Sequence, residues 1–557
     1  MVICILTILP FLGLTDYNTK GEPREAIVAY SMLESGNWIL PRNYGGEIAF
    51  KPPFFHWSIA AASSLTGEVS EYSSRLPSAL ALIVMTLAIY WFYAKRKDAW
   101  VGLLTACVTL TCFEIHRAGF ACRVDMVLTA FIVLALLQFY NWYERKQKGI
   151  PWWAILFMGI ATLTKGPVGI ILPCLVTGVF LWIKEGRFWK IFFTLSGIAL
   201  LACILPAIWY GLAYQQGKDE FLQLMMEENL GRFMGKMSYG SHENPAYYNV
   251  IMLIAGYVPW TLLLLFSLFG LHYRKPSGTL KEGWKNMITS IRNWEPLHLF
   301  SFLSIALIFI FYCIPASKRG VYLLPVYPFI GYFLTIYFLK LIRQGSKSIK
   351  AFGIFLSFAV VLLTATFVVI KCGLIPETIF TGKRALENTD FLNALKNVPL
   401  NPINLLCIIA PLVALIYFWR EKRKNPFSEK ILFALCIIIF STYIALDGVY
   451  QPAVLGSKSD KNLALQVQKI APEGKIYSYG SYFYGVNFYN ANRMAIFGKE
   501  LPEQGTLLVG QKDYEDLQQK YGAEYIFDEI YQSSRRSCDI RDIVCIYRFN
   551  KKKTLLP

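Results

Sequence analysis

Long apolar runs recur along the chain, separated by short polar connections, and their lengths suit membrane crossings better than the core of a soluble domain. A hydrocarbon layer of roughly 30 Å takes about 20 helical residues. The stretches 76–93, 126–140, 168–183, 191–212, 250–271, 297–314, 321–341, 351–370, 403–419 and 431–446 meet or approach that length. Two shorter runs, 100–113 and 152–163, and the opening run 2–14 bring the predicted total to about thirteen transmembrane helices. The opening run has neither the charged flank nor the small-residue cleavage site of a signal peptide, so it reads as a first transmembrane helix whose start could lie upstream of Met1.

After Asp447 the pattern changes. Short runs at 477–479, 506–509, 525–527 and 543–548 predict strands, with a helix over 514–521 between two of them. The expected architecture is an α-helical polytopic membrane domain over 1–447 and a small soluble α/β domain over 448–557. The connection 15–75 is long for a link between helices, which marks it as functional. Within it, 23–33 and 54–65 are amphipathic enough to lie along the interface.

Composition supports the membrane reading: 55% of residues are hydrophobic and 16% aromatic. The net charge of +18 changes the picture through its placement. Basic clusters sit in every second loop, at 95–97, 145–148, 184–190, 274–285, 343–350 and 420–424, which a positive-inside bias assigns to the cytoplasm. The loops 15–75, 116–123, 164–167, 214–249, 317–320 and 372–401, and everything after 447, then face outward. No basic stripe interleaved with aromatics lies outside the cytoplasmic set, so nucleic acid is not an expected partner. Most of the 12 cysteines fall in apolar spans; Cys538 and Cys545 fall in the tail, where they could pair or remain free thiols.

Charges beside apolar spans are costly and mark paths or sites. On the outward side they form a series at helix mouths: Glu22, Arg24 and Glu25, Lys51, Arg117, Arg123 and Asp125, Lys165, then Lys318 and Arg319 followed by Tyr322. Lys and Arg complement a phosphate, and carboxylates can take a proton or hold a divalent cation. The mixture suits a phospholipid-borne donor entering from the bilayer. Interfacial anchors or salt bridges are the bland alternative.

At these residues the chain resembles the outer-face glycosyltransferases that include the aminoarabinose-to-lipid A transferases and, more distantly, the protein O-mannosyltransferases. The similar stretches are Glu22-Pro23-Arg24, Gly36-Asn37-Trp38 with Pro41, Lys51-Pro52, Arg75-Leu76-Pro77, Asp125 at a helix head, Thr164-Lys165-Gly166, Gly231-Arg232-Phe233, and Ser317-Lys318 with Tyr322 and Pro325. The resemblance implies a fold of the GT-C class, a polyprenyl-phosphate sugar donor, and transfer at a cavity between membrane and outer domain. This chain departs from the family twice: Gly21 stands where the family has an Asp before the Glu, and Phe50 where the aminoarabinose branch has a Glu before Lys-Pro. The leading carboxylate is then Glu22 itself or Asp16 from the preceding turn.

The implied reaction displaces polyprenyl phosphate at the anomeric carbon. Arg24, Lys51, Lys165, Lys318 and Arg319 are the phosphate-side candidates, Glu22 and Asp125 the carboxylates, with Arg117, Arg123, Tyr322, His56 and His242 as possible substrate contacts. A hydroxyl acceptor needs a base; a phosphate acceptor such as that on lipid A does not. His56, His116 and His242 rank lower, and the aromatic stripe 482–489 reads as a packed strand before it reads as a sugar platform. The partners expected are the lipid-linked donor, a lipid or glycan acceptor and membrane lipids, in a bacterial inner membrane with the C-terminal domain in the periplasm. A flippase, a whole-glycan ligase or protein O-glycosyltransferase, and a sensor or scaffold are the competing classes.

Overall fold

Polar residues at the ends of apolar runs start the helices. Ser70 accepts from the Ser73 amide and Ser73 reciprocates to the Ser70 amide, a capping box that opens a 26-residue helix over Glu71–Arg96; Asp98 accepts from the Val101 amide at 2.9 Å and opens the next. The computed structural model describes residues 2–49, 51–231, 243–268, 293–382, 384–425 and 428–552. In chain order the first ten α-helices are α1 (Val2–Ile8), α2 (Gly21–Ser35), α3 (Phe54–Thr66), α4 (Glu71–Arg96), α5 (Ala99–Leu110), α6 (Phe113–Gly119), α7 (Val124–Glu144), α8 (Trp152–Lys165), α9 (Val168–Glu185) and α10 (Phe188–Met226).

Among the described residues, nine helices are long and apolar enough to cross a membrane, or up to eleven if each of two bent pairs is one span. The bent pairs are α5 with α6, at 73°, and Tyr247–Gly256 with Trp260–Leu268, at 100°. The sequence predicts thirteen. The difference lies in α8, which has 14 residues, and in α1, which ends after 7: both are apolar but shorter than a crossing. The bend after Leu110 also turns the expected outward loop 116–123 into a further helical piece, so His116 and Arg117 sit on α6.

Charge separates the two ends of the bundle. Arg96 bonds Glu144 at 2.5 Å, Lys97 bonds Glu295 at 2.5 Å and Arg343 bonds Glu429 at 2.8 Å, which gathers the basic loops at one end. The long connection after α1 and the C-terminal sheet occupy the other. There α2 buries ten residues around its circumference, among them Glu22, Glu25, Ala26, Ile27, Val28 and Ala29. It is enclosed by protein, whereas the sequence suggests a helix lying flat on lipid.

The sheet has five strands, β1 (Ile476–Tyr479), β2 (Met494–Ile496), β3 (Gln504–Gly510), β4 (Tyr525–Gln532) and β5 (Val544–Lys551), in the order β2-β1-β3-β5-β4. β2, β1 and β3 run parallel; β5 pairs antiparallel with β3 and β4. β2, three residues long, carries too little pattern to be read from sequence. The aromatic stripe is a helix over Tyr484–Tyr489, not a strand. Its rings pack on the first long connection: Tyr44 meets Tyr482 and Tyr484 at centroid distances of 5.2 and 5.4 Å, and Tyr17 meets Phe488 at 4.8 Å. Cys538 and Cys545 are free thiols: Cys545 is buried on β5 opposite Val509, and Cys538 lies in the β4–β5 connection beside Asp460.

Tyr44 is the anchor of this docking. It is 1% exposed, and its hydroxyl donates to Ser478 Oγ of β1 at 2.8 Å. Tyr44→Ala removes a fully buried aromatic and is expected to cost about 3–5 kcal/mol. Glu47→Ala breaks an ion pair with Lys499 whose side chains are 36% and 57% exposed, and is expected to cost less than about 1 kcal/mol. Thermal unfolding with limited proteolysis of the sheet domain checks both, and equal effects would refute the assignment of Tyr44 as anchor.

Candidate functional site

Two glutamates on α2, three residues apart, have different surroundings. Glu22 Oε1 accepts from Arg75 Nε at 2.8 Å and from the Cys122 amide at 3.0 Å; its Oε2 accepts from Arg75 Nη2 at 3.3 Å. Arg75 Nη1 donates to the carbonyls of Leu12 and Thr15, at 2.8 and 2.6 Å. Both oxygens of Glu22 are thus satisfied from inside the protein. The clamp ties α2 to α4 and to the end of the opening segment.

Glu25 is the hub of a cationic cluster instead. Lys51 donates to its Oε1, Arg24 Nη2 donates to the same oxygen at 3.1 Å, and His56 Nε2 lies 2.9 Å from Oε2. Burial opposes ionisation of Glu25, but Lys51 and Arg24 more than reverse it and hold the carboxyl well below the usual carboxylate range. Burial likewise lowers Lys51; Glu25 pulls it back up and Arg24 pushes it down, leaving it at about 8. Both oxygens of Glu25 are thus engaged, by Lys51 and Arg24 on one side and His56 on the other. His56 Nδ1 is buried with no hydrogen-bond partner among the described residues.

A second centre joins the head of α7 to the end of α8. Asp125, in the first turn of α7, pairs with Lys165 at the end of α8, and the Lys165 ammonium stands 4.2 Å from the Tyr322 ring centroid. Lys51 is within electrostatic reach of Asp125, and so is Arg123, so the two centres share one charged region. Tyr322 belongs to the 3₁₀ turn Gly320–Val326, which follows Lys318 and Arg319. Lys318 is buried, its ammonium held on the carbonyl of Pro315 at 2.6 Å.

Of the residues singled out in the sequence, Arg24, Lys51, His56, Arg123, Asp125, Lys165 and Tyr322 converge here, with Lys318 and Arg319 on the adjoining turn. Others go elsewhere. Asp16 pairs with Lys461 of the C-terminal domain at 2.8 Å. Arg117 folds back on Glu114 at 2.6 Å, and His116 bonds Asp447 at 2.6 Å while stacking on Tyr443 at 3.8 Å. His242, Phe50, Arg232 and Phe233 lie outside the described residues.

Glu25 stands in the charged series read from the sequence but is given no role there, although a signal for one exists. It stands four residues after Gly21, hence on the same helix face. A Cβ at Gly21 would approach Arg123 Nη2 to 2.8 Å. A side chain at position 21 would therefore have to displace the Arg123 guanidinium, and Glu25 supplies a carboxylate a turn further on. Tyr484 is the second addition: it brings the sheet domain within electrostatic reach of Arg24.

Comparison with known proteins bears on the fold and on the family. The model of the dolichyl-phosphate-mannose-protein mannosyltransferase family matches residues 50–210. An uncharacterised protein of Aquifex aeolicus is 28% identical over 372 residues, 65% of this chain and 68% of that one. The undecaprenyl phosphate-alpha-4-amino-4-deoxy-L-arabinose arabinosyl transferase of Erwinia tasmaniensis is 26% identical over 62% of this chain and 61% of its own length, so the match spans under two thirds of that enzyme. The crystal structure of ArnT from Cupriavidus metallidurans bound to undecaprenyl phosphate superimposes with a TM-score of 0.69 at 17% identity, covering 98% of this chain and 96% of that one. The chain is thus a polytopic membrane protein of the GT-C fold, similar in sequence to glycosyltransferases. Within that class its resemblance is to the aminoarabinose transferases.

Proposed function

We propose that the protein transfers a sugar from a polyprenyl phosphate of the undecaprenyl type to a lipid-borne acceptor such as lipid A. The observation that carries this reading is the convergence of Lys51, Arg24, Lys165 and Arg123 around Glu25 and Asp125, at the end of the bundle where the sheet domain docks. Displacement at the anomeric carbon forms a bond from an acceptor oxygen to C1 as the bond from C1 to the donor phosphate oxygen breaks, and the electrons of the broken bond leave with the phosphate. Lys51, Arg24 and Lys165 meet that growing charge, with Lys318 and Arg319 on the adjoining turn, while Glu25 and Asp125 hold their cations in place beforehand. Arg123 and Tyr322 line the sugar side and His56 orients Glu25.

A carboxylate held as low as Glu25 is a poor base. That favours an acceptor phosphate, which has no proton to lose, over a hydroxyl, and so lipid A over a protein serine or threonine. The basic loops at the far end of the bundle support a cytoplasmic side there, and with it the reading that the site and the domain after residue 447 face the periplasm of a bacterial inner membrane. Transfer of a whole glycan, or onto protein, is the second reading, since the phosphate contacts would be the same.

The test compares glycolipids by mass spectrometry in cells carrying the intact protein, Lys51→Ala or Asp125→Asn at matched abundance. A sugar mass lost from an outer-face lipid, with its polyprenyl-linked donor accumulating, is the expected result and names both substrates. Unchanged glycolipids in both variants would overturn the reading.

A further inference from the structure

In the C-terminal domain, far along the chain from the charged region above, three metal-type side chains come together: Asp460, Cys538 and Asp539, one ligand atom of each lying within 4.8 Å of the other two. Donors around one zinc-class ion stand roughly 3–4 Å apart, given metal–ligand distances of about 2.0–2.3 Å. Asp460 precedes the helix Lys461–Ile470, and Cys538 and Asp539 lie between β4 and β5, so the fold brings them together from 78 and 79 residues apart.

Hydrogen bonding within the group is incomplete in one telling place. Asp460 accepts from the Ser537 hydroxyl at 2.5 Å, the Cys538 amide at 3.1 Å, the Asp539 amide at 3.4 Å and the Cys538 thiol at 3.4 Å. Asp539 is 7% exposed; its Oδ2 accepts from the Gly485 amide at 2.7 Å, while its Oδ1 is buried with no partner. Among the described residues no ion pair reaches either carboxylate. Two buried carboxylates side by side, one oxygen unbonded, are costly unless a proton or a cation joins them. A cavity of about 360 Å³, lined by Ser457, Asp460, Ser537 and Asp390 among others, opens beside Asp460 and gives an ion a way in.

We propose that Asp460, Cys538 and Asp539 bind a divalent cation of the zinc class, the Cys538 thiol proton leaving to solvent. The mixed sulfur and oxygen donor set excludes magnesium and calcium, which take oxygen ligands alone. The ion would tie the link from the last membrane helix to the segment Tyr484–Tyr489, and that segment holds Glu71 through Tyr489 at 2.7 Å. This site is independent of the transfer reaction.

Cobalt is the probe. Full-length protein purified without a histidine tag and stripped with chelator is expected to bind one equivalent of Co²⁺ with a thiolate-to-cobalt charge-transfer band, which added Zn²⁺ displaces. The band should vanish in Cys538→Ser, persist in Cys545→Ser, and need about 10–100-fold more cobalt in Asp539→Asn. Absence of the band in the unaltered protein, or a band that survives Cys538→Ser, overturns the proposal.

Discussion

Lys51→Met is expected to lower turnover by about 10²–10³-fold, the usual effect of removing one preorganised donor to a growing oxyanion, while leaving the protein folded. Folding should survive because Glu25 keeps Arg24 and His56 when Lys51 is gone, and the Lys51 side chain is already 20% exposed. The pH profile separates this role from a packing role. With Lys51 at about 8 in the free protein, kcat/KM should be level below that pH and fall about tenfold per unit above it. A bound phosphate favours the ammonium, so the corresponding limb of kcat should lie at higher pH. Lys51→Arg keeps its charge past pH 12 and should erase the limb near 8 even if its activity is lower.

The sign of the stability change guards against a trivial explanation. The folded value of about 8 lies below the ordinary lysine value, so between the two the unfolded chain holds the proton longer and the Lys51 contribution to stability rises with pH. Activity lost in that window is therefore not unfolding driven by this residue. A flat profile, or Lys51→Met with full turnover, would remove Lys51 from the phosphate side.

Hydrophobic periodicity made most of the membrane domain legible, since a span needs only length and apolar character. It did not reveal whether a run is straight. The bend between α5 and α6 follows Thr111 and Cys112, residues equally at home in a helix, and tertiary contact decides it: the Phe113 amide donates to the Val258 carbonyl of the other bent pair at 2.9 Å. The convergence of charges was legible as a set, because each sits at a helix mouth on one side. Their pairing was not. Glu22 and Glu25 have similar neighbours in sequence, and only the approach of α4 to one and of the turn carrying Lys51 to the other distinguishes them. The Tyr484–Tyr489 segment shows the same limit: an aromatic run fits strand or helix, and the rings of Tyr17 and Tyr44 settle it from more than 400 residues away.

The pair Glu22→Gln and Glu25→Gln should therefore part in opposite directions. Glu22→Gln leaves Arg75, 4% exposed, as an uncompensated charge with only carbonyls and one amide oxygen to accept its donors. Breaking such a buried pair costs about 3–5 kcal/mol, and the loss should appear as a lower unfolding temperature and lower membrane abundance, with turnover per folded molecule nearly intact. Glu25→Gln leaves Lys51 and Arg24, whose side chains are 20% and 33% exposed and can turn to water. Its stability cost is expected at about 1–3 kcal/mol, that of hydrogen bonds to a charged group. Turnover should fall by about 10²-fold, because the cations proposed to meet the phosphate lose the carboxylate that aims them. Donor affinity discriminates further: without Glu25 competing for them, Lys51 and Arg24 should bind polyprenyl phosphate at least as tightly, so KM should hold or fall while kcat drops. If Glu22→Gln abolishes turnover in molecules that remain folded while Glu25→Gln does not, Glu22 is the reacting carboxylate and Glu25 a structural one.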